Sequence, residues 1–409
     1  MPQSAAIAKT AIRKSPPPQV FRAGFGVIAD ALSPVLVEKP GVYPFDGAIA
    51  REHAEAIWTW VARDLLPVTA ERLVAEIESG ASASALLGPL IPEVTDAIDE
   101  AIRQAKTVEA DHRMTVQMGG DGVRERLPVF LAALRAHAVI AKALDFGRVA
   151  NETQDEEALG AALKSMPLAD SGLTSLMMMA VVGQVANPSR LVVAAIRQTG
   201  AASDAALSRG GFGPLIEAIL AHAQAQLAIL QRPGVLDRDA DLVCKAIDRF
   251  HRLIRAATGY IEVSRANIWA HMVADLTGRV SGQLEARLRG VTGEINRALR
   301  RPREGVDRFD PDAALAAYGG LYLLNAVRDA RSSLALNVVF DQVWNESGQA
   351  IEVLTGRALE SFRDNPAGAA LGERLDAGIR MAEIRFDEKY AEILRRARDA
   401  AVRRLGGLA

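Results

Sequence analysis

Residues 239–301, DADLVCKAIDRFHRLIRAATGYIEVSRANIWAHMVADLTGRVSGQLEARLRGVTGEINRALRR, contain no proline and decide the fold class. Their apolar residues recur three or four positions apart, as on one face of a helix. The stripe consists of Val243, Ile247, Phe250, Ile254, Ala257, Ile261, Ile268, Met272, Leu276, Val280, Leu284, Leu288, Val291, Ile295 and Leu299. A stripe of this length predicts a helix of about 60 residues, about 90 Å long. Each glycine costs up to about 1 kcal/mol relative to alanine in a helix. The sequence therefore does not decide whether this helix continues through Gly278 and Gly282.

Two further runs with the same spacing follow this stretch. The first, residues 311–363, carries Leu315, Tyr318, Leu324, Val327, Leu334, Val338, Ile351, Leu354, Ala358 and Phe362. The second, residues 369–405, carries Leu371, Leu375, Ile379, Ala382, Phe386, Tyr390, Ile393, Ala397 and Ala401. Short turns between long helices make neighbours antiparallel. We therefore predict that residues 237–409 form an elongated antiparallel bundle of three long helices, a coiled-coil-like arrangement.

The chain before this bundle has a different pattern. Residues 46–236 show shorter helical periodicities that are interrupted by proline and glycine, which predicts a compact multi-helix domain. Residues 1–45 contain seven prolines and are expected to form a partly flexible tail with extended segments that pack on the body. The predicted fold is thus all-α, with a helical globular N-terminal domain before the bundle.

Composition and charge limit the function classes. Of the 409 residues, 49 % are hydrophobic, 24 % are charged and 5 % are aromatic, a balance typical of a globular chain. The formal net charge of −2 provides no field that would attract nucleic acid. The single cysteine, Cys244, excludes an intramolecular disulfide. We find neither a secretory signal nor a run of about 20 apolar residues, so we expect a cytoplasmic protein without a transmembrane segment.

Few residues suggest chemistry. His112, Arg113 and Asp121 lie near a glycine-rich break and are the candidates for a catalytic group, although no local motif joins them. His271 and Asp275 are four positions apart on a predicted helix and could share a metal ion, but such a site needs three or four ligands. The nucleophile elbow, the phosphate loop and the zinc-protease helix are all absent. The sequence therefore predicts no cofactor, no assigned metal site and, on balance, no enzymatic role.

One aromatic residue suggests a binding role. Trp58 lies off the apolar stripe of its helix, about 100° from Ile57. An exposed tryptophan can anchor a protein partner, whereas a buried one would pack under the proline-rich segment at residues 42–45. We take Trp58 as the candidate partner-binding residue.

Long amphipathic stripes without a catalytic constellation favour a helical interaction or scaffold protein that binds another protein or itself as a homo-oligomer. One alternative is an all-α enzyme or small-ligand-binding protein with its site between helices of the N-terminal domain. Another is a peripheral membrane-surface protein that uses the basic N-terminal tail, because the first 29 residues contain no Asp or Glu. Four basic residues supply only a weak attraction, so this alternative ranks last.

Overall fold

A computed structural model describes residues 19–301 and 307–406, and it confirms the all-α prediction. The described residues divide into two compact units, one built from residues 19–40 and 46–143 and the other from residues 41–45 and 144–406. The only paired strands among them are Leu36–Val37 and Ile49–Ala50, which run parallel in the first unit with Leu36 opposite Ile49.

The first unit is built from short helices. They are α1 Gln19–Leu32, α2 Arg51–Trp60, α3 Pro67–Glu78, α4 Ala83–Gln104, α5 Val108–Met118, α6 Asp121–Arg124 and α7 Leu127–Arg135. A π-helical turn, Val61–Leu65, follows α2, and a 3-10 turn, Ser33–Val35, follows α1. Helix α8, His137–Glu152, contains the boundary between the units.

Helix α1 differs from the predicted tail. Residues 1–18 of that tail lie outside the described part of the chain, but residues 19–32 form a regular helix. Phe25, Ile28 and Leu32 are buried at helical spacing, and α1 packs against α2, α3 and α4. The prolines that flank this helix on both sides concealed its period from the sequence, so the prediction of extended structure is wrong here.

The second unit contains the remaining helices. They are α9 Glu156–Lys164, α10 Ser171–Gln184, α11 Ser189–Thr199, α12 Asp204–Arg209, α13 Gly213–Leu230, α14 Val235–Arg238, α15 Ala240–Thr258, α16 Ile268–Leu299, α17 Pro311–Asp329, α18 Asn337–Asp364, α19 Ala369–Arg385 and α20 Glu388–Gly406. Helix α13 is apolar on several faces and packs against α10, α15 and α16. The boundary predicted between residues 236 and 237 therefore falls inside this unit, within the short helix α14.

The prediction of three uninterrupted long helices is wrong, because the structure forms two helices in place of each predicted one. The first breaks at residues 259–267, the second at residues 330–336 and the third at residues 386–387. Helix α16 runs without interruption through Gly278 and Gly282, the two positions that the sequence left open. Most of the predicted stripe is nevertheless buried, as the α16 residues Leu276, Val280, Leu284, Leu288, Val291 and Ile295 show.

Contacts with distant residues make the first break. The Glu262 N–H donates to the Ala202 carbonyl over 2.8 Å, and the carboxylate of Asp204 accepts from the backbone of Ser264 and the amide of Asn267. Asn267 in turn caps α16, because its side-chain oxygen accepts from the Trp269 N–H over 2.8 Å. Helix α12 and its preceding loop thus hold the connection between α15 and α16 in a non-helical path.

One helix among the described residues, α13, has the length and composition of a membrane span, and a second arises only if a sharply bent helix pair counts as one span. Half of α13 is buried inside the structure, as expected for the core helix of a folded unit. This agrees with the predicted lack of a transmembrane segment.

Candidate interaction surface

The three candidate catalytic residues lie on the surface of the first unit. His112 and Arg113 are in helix α5, and Asp121 is the first residue of α6. All three are exposed, and within residues 19–301 and 307–406 no hydrogen bond or ion pair joins them. The structure therefore does not gather them into a catalytic group.

The candidate metal ligands His271 and Asp275 do not contact each other, because the Asp275 carboxylate binds other side chains. The Asp275 carboxylate accepts from the Tyr43 hydroxyl over 3.0 Å and from Nε of Arg279 over 2.7 Å, while His271 is exposed one turn earlier. The described part of the chain holds no group of three or more His, Cys, Asp or Glu side chains arranged for a metal ion. Asp275 instead fixes the segment at residues 41–45 to α16, and Gln224 pairs with both backbone groups of Tyr43.

Trp58 is buried and is not a surface anchor. Only 2 % of the residue is exposed. A side-chain carbon added at Gly24 would lie 2.7 Å from Cζ2 of the Trp58 ring, so the ring packs directly against α1. The prediction of a partner-binding Trp58 is wrong, because the apolar face of α2 is wider than the single stripe suggested, and Trp58 and Trp60 both lie within it.

A different tryptophan lies at the surface of the second unit. Trp344 in α18 is half-buried, and the guanidinium carbon of Arg385 lies 3.4 Å from the centre of its ring. The guanidinium carbon of Arg328 is 5.3 Å from the same ring centre. Both distances fall within the range of cation–π attraction. Trp344 therefore contacts two cationic groups, one from α17 and one from α19.

Further aromatic rings extend this group. Phe340 stacks on Trp344 with ring centres 5.4 Å apart, and the Arg331 guanidinium lies 5.3 Å from the centre of the Phe340 ring. Phe386, at the end of α19, lies 5.1 Å from Arg385 and 5.0 Å from Tyr390. We call this set the arginine–aromatic cluster: Arg328, Arg331, Phe340, Trp344, Arg385, Phe386 and Tyr390.

Arg385 is the central cation of the cluster and is only 8 % exposed. Burial, together with the nearby charge of Arg328, lowers the pKa of its guanidinium to about 10, so it stays protonated at neutral pH. Its Nη2 donates to the Trp344 carbonyl over 2.6 Å, and Nε donates more weakly to the Ser347 hydroxyl over 3.4 Å. Among the described residues no carboxylate lies within ion-pair distance of it.

A cavity lies between α15 and α17. It has a volume of about 530 Å³ and is lined by Cys244, Asp248, His251, Arg252, Ala326, Asp329 and Ala330. Burial raises the pKa of the Cys244 thiol to about 11, so the thiol is protonated and a poor nucleophile. Nδ1 of His251 is 2.9 Å from the Ser333 hydroxyl, and burial lowers the pKa of this imidazole. The cavity offers a neutral base and two carboxylates but no activated nucleophile.

Sequence reasoning missed the arginine–aromatic cluster, although part of its signal was present. The pairs Phe340/Trp344 and Phe386/Tyr390 both have the i, i+4 spacing that brings aromatic rings together. The assembly of the pairs around Arg385 depends on how α18 and α19 pack, and that is not encoded in any local motif.

Comparison with known proteins adds no relative: no family model, no curated protein and no solved structure matches this chain.

Proposed function

We propose that this chain is a helical interaction or scaffold protein of the cytoplasm that self-associates through the C-terminal helices of its second unit. The observation that carries the proposal is the exposure of apolar residues that belong to the predicted stripes. Leu315 in α17 is 64 % exposed, Val338 in α18 is 83 % exposed and Ile393 in α20 is 66 % exposed.

The exposure of these side chains has a physical cost that association would remove. Scattered exposed apolar residues are common on protein surfaces, so exposure alone would mean little. Here each residue continues a stripe whose other members are mostly buried. Burying apolar surface stabilises by about 25 cal/mol per Å², and an interface between copies would supply that burial.

The composition of the arginine–aromatic cluster also supports an interaction role. Trp, Tyr and Arg are the residue types that dominate the energy of protein interfaces. The cluster places one Trp, one Tyr and three Arg side chains together, with Trp344 and Tyr390 half-buried and both Arg328 and Arg331 exposed.

Size-exclusion chromatography with light scattering tests self-association. The chain has a mass of 43.7 kDa, and the proposal requires a particle of at least twice that mass. A compact particle with the mass of one chain at every loading concentration would refute it.

The second candidate is a small-ligand-binding protein, because the α15–α17 cavity gathers Asp248, His251 and Asp329 around about 530 Å³. This cavity does not lie among residues 46–236, where the sequence led us to expect such a site. Native mass spectrometry of the purified protein tests the candidate. A bound small molecule that is lost in Asp248→Asn would support it, and a spectrum of the bare chain alone would count against it.

A further inference from the structure

Arg385 is a buried cation whose charge is not neutralised by an ion pair. Removing a guanidinium from water costs several kcal/mol unless a counter-charge and hydrogen bonds replace the water. The charge of Glu352 raises its pKa, but the two side chains form no ion pair, and the positive charge of Arg328 lowers it. Arg374, the other buried arginine of this unit, differs because it pairs with Asp307.

The guanidinium of Arg385 retains an unused donor edge. An arginine offers five N–H groups, and here Nε and Nη2 are used by Ser347 and by the Trp344 carbonyl. The second terminal nitrogen, Nη1, has no hydrogen-bond partner in the described residues. Nη1 is not one of the fully buried side-chain atoms that lack a partner, so it retains contact with solvent. The flanking rings of Trp344 and Phe386 are also only partly buried.

The neighbouring arginines add donors of the same sign. Arg328 and Arg331 are 48 % and 45 % exposed and lie against the rings of the cluster. Their own counter-charges, Asp329 and Asp341, are exposed, and exposed ion pairs of this kind contribute little. An incoming carboxylate can therefore compete for them at small cost. A planar carboxylate also matches the fork of an arginine, and the Trp344 face offers apolar contact beside it.

We propose that the arginine–aromatic cluster is a docking site for an acidic segment of a partner protein, with a carboxylate of that segment bound by Arg385 and Arg328 beside the Trp344 ring. This inference rests on the proposed function as an interaction protein, but it depends on other residues than the apolar Leu315, Val338 and Ile393.

Fluorescence anisotropy with a labelled, N-acetylated hexaglutamate peptide tests the proposal on the full-length chain at physiological ionic strength. We expect saturable binding by the wild type. Arg385→Gln should weaken binding by about tenfold or more, because it removes the central donor. Arg357→Gln is the matched control, since it removes the same charge from an exposed site on α18, and it should change the affinity by less than about twofold.

Circular dichroism shows whether Arg385→Gln remains folded. If it unfolds, Trp344→Leu replaces it in the test, because this variant keeps every arginine and removes only the ring, and it too should weaken binding about tenfold. The proposal is wrong if the wild type does not bind hexaglutamate, if the control weakens binding as much as the cluster variant, or if the protein binds phosphatidylserine vesicles and not the peptide. If the wild type is monomeric and still binds the peptide, the proposal of self-association is refuted and this inference stands.

Discussion

Arg385 packs against the backbone of α18 beside Gly348, a residue that has no side chain. A carbon added at Gly348 would lie 3.1 Å from Nη2 of Arg385 and 3.5 Å from the Phe386 ring. The missing Cβ therefore lets a charged group pack against the middle of a helix. The position of Arg385 at the centre of the arginine–aromatic cluster therefore depends on this glycine.

Gly348→Ala should destabilise the second unit by about 1 kcal/mol, because the Arg385 guanidinium must shift by a few tenths of an ångström, and the loss of its contacts outweighs the gain in helix propensity. Gly356→Ala, two turns later in α18, is the matched control. A carbon there meets nothing within 4 Å, so it should be neutral or stabilise by up to about 1 kcal/mol. Urea unfolding followed by circular dichroism measures both. Equal shifts of the midpoint in the two variants would contradict this role of Gly348.

A second residue determines a response to acid. His222 in α13 lies 2.9 Å from the Met179 carbonyl of α10, and burial lowers the pKa of its imidazole to about 4 from the usual 6.5. Between those two pH values the unfolded chain binds a proton that the folded chain does not, so stability falls as the pH falls.

The wild type should therefore lose up to about 3 kcal/mol more than His222→Gln between pH 6.5 and pH 4, because glutamine does not titrate. Unfolding measured across this range tests the difference. The exposed His271→Gln should follow the wild-type curve. A His222→Gln curve with the same slope as the wild type would show that His222 is not held neutral in the fold.

At the scale of elements, the break between α15 and α16 depends on one aspartate. Asp204 accepts from the Ser264 N–H over 3.0 Å, from the Asn267 amide over 2.7 Å and from the Ala205 N–H over 2.6 Å. The Ser264 N–H holds the pKa of this carboxyl below its ordinary value. One aspartate thus organises the whole connection between α15 and α16.

Asp204→Ala should destabilise the second unit by about twice as much as Asp239→Ala, since it leaves several donors without an acceptor, whereas Asp239 caps α15 through one bond to the Leu242 N–H. Thermal unfolding compares them. Hydrogen exchange should also quicken at residues 259–267 only in the Asp204 variant. A smaller loss in Asp204→Ala than in Asp239→Ala would contradict the assignment.

The sequence predicted the helical state and most of the buried stripe, because both follow from local spacing. Leu284, Leu288 and Val291 were placed correctly by period alone. The breaks were not predictable, because the bonds that make them come from distant residues such as Ala202 and Asp204. The arginine–aromatic cluster needs the packing of four helices, so the sequence showed only its two aromatic pairs.

At the scale of the whole molecule, the second unit extends across the division that the sequence placed between residues 236 and 237. Arg249 of α15 donates to the carbonyls of Val182 and Val185, over 2.5 Å and 2.6 Å, and thereby satisfies the end of α10. Helix α13 packs between α10 and α15. Residues 236 and 237 lie within the short helix α14, inside the second unit.

A fragment of residues 237–409 should therefore fail to fold cooperatively, because it exposes the face of α15 that α13 covers. A fragment of residues 144–409 retains α10 and α13 and should show a sigmoidal thermal transition. Circular dichroism melting and the dispersion of amide proton shifts distinguish the two. A cooperative melt of the shorter fragment would contradict this expectation and support the domain boundary predicted between residues 236 and 237.

Self-association through the C-terminal helices is the central claim, and sedimentation velocity over a dilution series tests it most directly. The wild type should sediment as an oligomer that dissociates on dilution. The triple variant Leu315→Glu, Val338→Glu, Ile393→Glu should sediment as a folded monomer throughout, and the control Arg357→Glu, Lys389→Glu should match the wild type. A wild type that sediments as one chain at the highest concentration, or a triple variant that associates as strongly as the wild type, would contradict the account.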